Sequence, residues 1–266
     1  MENQRKYALI TGATGGLGGA FVWATLKREY ALVLTGRSQE KLQALKAEIE
    51  KDYPQATVEI CAADLTSEQD RAVLKGYMTE RGIRLSLLVN AAGADIQKPF
   101  EAYTQEKITF QCRANFEAAV DMCHFAVANA EEGLEIINIS SVSGIYPMPY
   151  FAIYSATKSA LTSFSIALRE EVKSKGIKVT AILPGAMPTR ADVKQQIKGQ
   201  GLWGKLAVKS PEWVAEYSLK AVKKNKRTAI PGFFNKLMRF GTALLPLSWK
   251  LAFIAKRWSK ISKDAF

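Results

Sequence analysis

Tyr154 and Lys158 stand four residues apart in YSATK, residues 154–158. On a helix that spacing puts two side chains on one face, about 5–6 Å apart at Cβ. A phenol ordinarily titrates near about 10, and a neighbouring ammonium favours the phenolate and lowers that value. The pair therefore reads as an acid or base usable close to neutral pH. Alone it is a weak signal, because Tyr and Lys meet at this spacing on many solvated helices. The rest of the chain has to decide.

A second stretch that could do chemistry is TGATGGLGGAF, residues 11–21. Gly12, Gly16 and Gly18 follow a G-x-x-x-G-x-G spacing directly after a strand-like run, and a helix pattern begins behind them. Backbone without Cβ atoms can approach a pyrophosphate, and the helix N-terminus supplies N–H donors and positive dipole. Gly12, Thr14, Gly15, Gly16, Leu17 and Gly18 are thus candidate cofactor contacts. The next strand ends in LTGRS, and no Asp or Glu occupies residues 31–39. A carboxylate there would hold the ribose 2′-OH of NAD, whereas an arginine accommodates the 2′-phosphate of NADP. Arg37 would form a charge-assisted pair with that phosphate, and Ser38 would add a hydroxyl donor. NADP(H) is the expected cofactor.

These residues need elements to position them. Apolar or β-branched runs at 7–11, 31–35, 57–62, 85–90, 134–140 and 178–183, with a weaker one at 227–231, alternate with helical periodicity. The helical segments are 16–29, 38–51, 67–81, 103–130, 153–175 and 211–224. Strands apolar almost throughout and separated by helices imply a parallel sheet covered on both faces. The expected fold is α/β, a doubly wound Rossmann-type parallel sheet of about seven strands. Short connections without Pro/Gly/Ser-rich linkers put it in one domain, residues 1–232, followed by a tail, 233–266.

Composition agrees. With 48% apolar and 23% charged residues among 266, the chain can bury a sizeable core. Cys61, Cys112 and Cys123 are odd in number and lack C-x-x-C spacing, so neither a disulfide framework nor a zinc site is indicated. MENQRKYALITG reads as an approach to the first strand, not as a signal peptide, and the cytoplasm is the expected compartment. His124, the only histidine, has no suitable carboxylate neighbour and reads as structural. With no G-x-S-x-G elbow either, a Ser/His hydrolase is disfavoured. Trp23 and Tyr77 read as helix-face packing.

Taken together, TGATGGLG (11–18), DL (64–65), NAAG (90–93), Asn115, NISS (138–141), YSATK (154–158) and PGAMPT (184–189) resemble the short-chain dehydrogenase/reductase family over residues 5–232. The resemblance implies that Asp64 and Leu65 sit at the adenine ring and that Asn90 stands beside the cofactor. It implies a role for Asn115 in holding a proton-relay water. Ser141 precedes Tyr154 by the family's customary separation and is preferred to Ser140. Pro184, Gly185 and Thr189 would close over the nicotinamide, and Lys158 would hold its ribose. Tyr154 would be the acid/base, its pKa lowered by Lys158 and by the oxidised cofactor's positive charge when present, with Ser141 polarising the substrate oxygen. No metal is needed, and a homodimer or homotetramer is implied.

For the substrate, Ser141, Ile145, Tyr146, Tyr154, Leu202 and Trp203 would line an apolar pocket. A bulky ketone or secondary alcohol, steroid or bile acid, is the preferred reading. A 3-oxoacyl thioester is the alternative, and an NADP-binding sensor or membrane scaffold is the non-enzymatic one. Residues 231–266 hold Lys236, Arg239, Lys250, Lys256, Arg257, Lys260 and Lys263 against Asp264 alone, half of the net charge of +12. Interleaved with Trp, Phe and Leu, residues 233–260 would pack on the domain as a partial lid, form a subunit interface, or lie at an anionic membrane surface. The lid is the preferred reading. A basic patch without a recognition motif disfavours nucleic acid.

Overall fold

The computed structural model describes residues 5–188 and 208–259. Strands β1 (Tyr7–Thr11), β2 (Ala31–Gly36), β3 (Val58–Ala62), β4 (Leu85–Asn90), β5 (Ala130–Ile139), β6 (Lys178–Ile182) and β7 (Thr228–Ala229) form one sheet. Their order is β3-β2-β1-β4-β5-β6-β7, every pair parallel. The chain winds outward from β1 in one direction and returns through β4 in the other. The crevice where strand order reverses, at the carboxyl ends of β1 and β4, is where such sheets take ligands.

Side chains along a strand point to alternate faces, and the core divides accordingly. Ala8 and Ile10 of β1 and Leu32 and Leu34 of β2 pack on one face with Phe21, Leu42 and Val214. Those three belong to α1 (Gly16–Leu26), α2 (Gln39–Asp52) and α7 (Pro211–Lys223). Leu9, Val33 and Leu88 take the other face with Leu74, Met122 and Phe164, from α3 (Glu68–Glu80), α5 (Ala118–Ala128) and α6 (Ala152–Glu171). Both faces being covered explains why the strands read as apolar runs.

The helix starts are legible. Ser38, Ser67, Thr104 and Ser210 each accept a backbone N–H three residues on, capping α2, α3, α4 (Gln105–Cys112) and α7. The pattern over 103–130 is not one helix, because a π-helical turn, Arg113–Glu117, separates α4 from α5. The tail forms two helices, α8 (Phe233–Ala243) and α9 (Leu247–Trp258), divided at Pro246.

Candidate active site

The glycine turn joins β1 to α1. Gly12 has φ +66°, and a Cβ on it would stand 3.0 Å from Ala92 Cα. A Cβ on Gly18 would lie 2.0 Å from Gly12 O, so no larger residue fits without moving backbone. Gly15, the N-cap of α1, offers no side-chain cap, and the first turn carries no acid. The donors and positive dipole at this helix start are therefore left for an anion. Thr14, Gly15 and Gly16 are at the surface, whereas Leu17 is buried in the core, so it presents only backbone.

A cavity of about 480 Å³ opens beside the ends of β2 and β3, lined by Arg37, Asp64, Thr66, Gln105, Glu106, Thr109, Phe110 and Arg113. Arg37 is exposed and makes no ion pair among the described residues. The Ser38 hydroxyl oxygen accepts from Lys41 N at 3.2 Å as a helix cap, leaving its O–H to donate. One Asp64 carboxylate oxygen accepts from Thr66 N at 2.9 Å and Thr66 Oγ1 at 2.8 Å, which shapes this loop. Leu65 is buried beside it. Sequence reasoning missed Arg113, a second guanidinium on the same cavity. Nothing in the helical pattern 103–130 marks it. An uncapped helix start within a glycine cradle, and a cavity bearing two guanidiniums, fit a dinucleotide with an extra phosphate.

Asn90 is placed differently from a simple cofactor contact. Its amide donates to Asn138 Oδ1 at 2.8 Å and Ala119 O at 3.3 Å, and Asn138 donates to Ser165 Oγ at 2.9 Å. This buried chain ties β4 and β5 to α5 and α6, so what Asn90 can offer a cofactor is backbone. Thr11, also unread in the sequence, accepts from Ala91 N and Ala92 N, both at 3.0 Å, and so fixes the loop after β4 to β1.

At the carboxyl end of β5 the two serines separate by role. Ser140 is buried, bonded to Lys158 O at 2.7 Å and to Thr162 Oγ1 at 2.7 Å, which locks the strand to α6. Ser141 Oγ accepts from Ser143 N at 3.1 Å, and its hydroxyl faces the Tyr154 phenol closely enough to favour the phenolate. Gly144 lets this turn rest on α6, since a Cβ there would meet Lys158 C at 2.7 Å. Lys158, also buried, donates from Nζ to Ile139 O at 2.8 Å.

The lowering of the Tyr154 pKa expected from Lys158 runs against the other groups around the phenol. Burial is the largest influence and, with the Asp95 carboxylate, pushes the phenol up to about 12, against the hydrogen bond from Ser141. The residue keeps part of its surface open, but its neighbours disfavour a phenolate. Burial likewise pushes Lys158 down to about 8, with Asp95 opposing. Its Nζ lies 5.8 Å from the Tyr154 ring centroid. Tertiary burial, invisible in an i,i+4 spacing, outweighs the pairing.

Asn115 lies buried in the π turn, a local geometry frequent at functional sites. Its side chain accepts from Ala94 N and donates to Ala94 O, both at 2.8 Å. The amide is thereby committed to holding the loop after β4. A Cβ on Gly93 would stand 2.8 Å from Asn115 Oδ1 and 3.3 Å from Lys158 Nζ, so Gly93 is the point where the two meet.

The 143–151 loop borders this site. Ile145 packs on Leu183 and Ile230, and Tyr146 OH is 2.9 Å from Thr242 Oγ1 of α8. Tyr150 takes φ 64°, a left-handed conformation unusual for a bulky residue, and its carbonyl accepts from Lys98 N at 3.1 Å. Phe151 stacks on Tyr154 with centroids 4.3 Å apart, and Trp258 of α9 lies over Phe151 at 6.4 Å. Pro184 O accepts from Val142 N at 3.0 Å, and Asn235 of α8 crowds Gly185. Thr189, Leu202 and Trp203 lie outside the described residues. His124 is exposed and lines a separate surface groove with Cys112 and Phe116.

The profile of the short chain dehydrogenases matches residues 6–199, and the chain belongs to that family. It is accordingly an oxidoreductase acting on CH–OH and keto groups. The very-long-chain 3-oxoacyl-CoA reductase of Bos taurus is 32% identical over 84% of this chain and 70% of its own length. The 17-beta-hydroxysteroid dehydrogenase type 3 of Homo sapiens is 31% identical over 71% of this chain and 61% of its own length. Both curated relatives are thus longer than the part matched. Among solved structures, the bulky-bulky ketone specific alcohol dehydrogenase from Comamonas testosteroni has a TM-score of 0.74 and 26% identity. That match covers 90% of this chain and 93% of that one.

Proposed function

We propose that this chain reduces the keto group of a 3-oxoacyl thioester, with Tyr154 as proton donor. The observation that carries the reading is the meeting of Tyr154, Ser141 and Lys158 at the carboxyl end of β5, with the glycine cradle on the same edge of the sheet. NADP(H) is the cofactor, and it supplies the hydride when bound. Gly12 to Gly18 would hold its pyrophosphate and Arg37 its 2′-phosphate, with Arg113 on the same cavity. Lys158 would hold the nicotinamide ribose.

The protein's part is positional and protonic. Ser141 donates a hydrogen bond to the ketone oxygen and stabilises the charge that develops there. Tyr154, pushed up to about 12, keeps its proton at neutral pH and has it to give to the forming alkoxide. The likeness to the bovine 3-oxoacyl-CoA reductase supports the thioester, and the sequence-based preference for a steroid yields to it. The likeness to the human hydroxysteroid dehydrogenase keeps a keto-steroid as a second reading; a bile acid gains no support from these relatives. NADPH consumption with 3-oxoacyl-CoAs of increasing chain length, beside 17-keto steroids, separates the two. Turnover of steroids alone would overturn the thioester reading.

A further inference from the structure

Many of the tail's large apolar residues point away from the domain, although Phe234, Leu251, Ile254 and Trp258 are half-buried. Phe233, Leu237, Phe240 and Leu244 follow each other at alternating four- and three-residue intervals, which at about 100° per residue places them on one narrow stripe of α8 and its C-cap. They are 52–85% exposed, and Trp249 and Phe253 of α9 are 68% and 73% exposed. A helix that packs on a globular domain turns such a stripe inward. Here the stripe stays outward, and the contacts toward the site come from other residues: Thr242 to Tyr146, the Asn235 side chain against Gly185, Lys250 Nζ 4.6 Å from the Tyr146 ring, and Trp258 over Phe151.

Charge identifies the occupant. From residue 233 to 260 the sequence carries Lys and Arg but no Asp or Glu, and Lys236, Arg239 and Lys256 are exposed beside the stripe. A second copy docked here by a two-fold axis would set these cations against themselves with no acid on the segment to pair them. A negatively charged lipid surface would pair all of them and take up the apolar stripe. Among the described residues no helix is long and apolar enough to cross a membrane, so the segment can only lie on one.

We propose that α8 and α9 form a docking surface for an anionic bilayer, and that docking turns the mouth of the active site toward the lipid. Its consequence, that a lipid-borne acyl substrate reaches Tyr154 without crossing bulk water, rests on the proposed function; the docking itself does not.

The test uses the full chain, without substrate, sedimented with vesicles of phosphatidylcholine alone or mixed with phosphatidylglycerol. Binding is expected with the mixed vesicles, weakened by raised salt and weaker by at least tenfold with phosphatidylcholine alone. F240E/F253E should lose binding by at least tenfold while its circular dichroism stays unchanged. K236A/R239A should lose about fivefold for each charge removed. No binding of the folded chain to anionic vesicles would overturn the proposal, as would equal binding to both compositions. A dimer abolished by F240E in place of vesicle binding would assign the face to a second copy and overturn it too. Because NADPH turnover is not read, failure here leaves the catalytic reading intact.

Discussion

Lys158 Nζ donates to the backbone carbonyl of Ile139 at 2.8 Å. The bond pins the ammonium to the carboxyl end of β5, two residues before Ser141. Strand and helix thus deliver the serine and the lysine to one place, and Ser140, bonded to Lys158 O, locks the same junction.

The buried lysine should leave a mark on stability. Its folded pKa, about 8, lies below the ordinary value of 10.5. Between those values the unfolded chain binds more protons, so this residue makes stability rise with pH from about 8 to about 10.5. Tyr154, raised to about 12, acts oppositely only above its ordinary value of 10.0, where its contribution is lost as pH climbs toward 12. Melting curves between pH 8 and 10 should show a Lys158→Met variant gaining less with pH than the native chain. Parallel curves would contradict the burial argument.

Ser140 and Ser141 should part company under substitution. Ser140→Ala removes a buried hydroxyl with two partners and should cost about 1–3 kcal/mol of stability by denaturant unfolding. Ser141→Ala should leave stability within about 1 kcal/mol and lower kcat about 10²–10³-fold, as loss of an oxyanion donor does.

Two glycines should differ in severity. On Gly144 a new methyl would meet the backbone of α6, with Lys158 C at 2.7 Å, and helix backbone cannot swing aside. On Gly93 it would meet side-chain atoms of Asn115 and Lys158, which can give way. Gly144→Ala should therefore lower both melting temperature and turnover, at about 1–3 kcal/mol of destabilisation. Gly93→Ala should mainly reduce turnover, by about tenfold or more, because it displaces groups at the site.

The cofactor preference should follow Arg37. Arg37→Asp should raise KM for NADPH by about tenfold or more and lower it for NADH, since a carboxylate repels the 2′-phosphate and accepts from a 2′-OH. Arg113 on the same cavity should leave residual NADPH binding. An unchanged ratio would remove Arg37 from that role.

The doubly wound sheet was legible because strands buried on both faces read as uninterrupted apolar runs separated by helical periodicity. The site was legible where chemistry leaves a fixed local spacing, as in YSATK and the glycine turn. Properties set by distant segments were not. The direction of the Tyr154 shift depends on burial and on Asp95. Arg113 reaches the Arg37 cavity only through the packing of α4 and its π turn. The amide of Asn90 serves Asn138, a partner on the next strand that the sequence does not mark. In the tail, the interleaving of basic with apolar and aromatic residues was readable, while the outward direction of the apolar stripe was not.

The most direct test of the account is NADPH oxidation with a long-chain 3-oxoacyl-CoA by the native chain and by Tyr154→Phe, with NADPH binding measured on both. The account expects the native chain to turn over and the variant to bind NADPH equally while kcat falls about 10²–10⁴-fold. Undiminished turnover by Tyr154→Phe would contradict it.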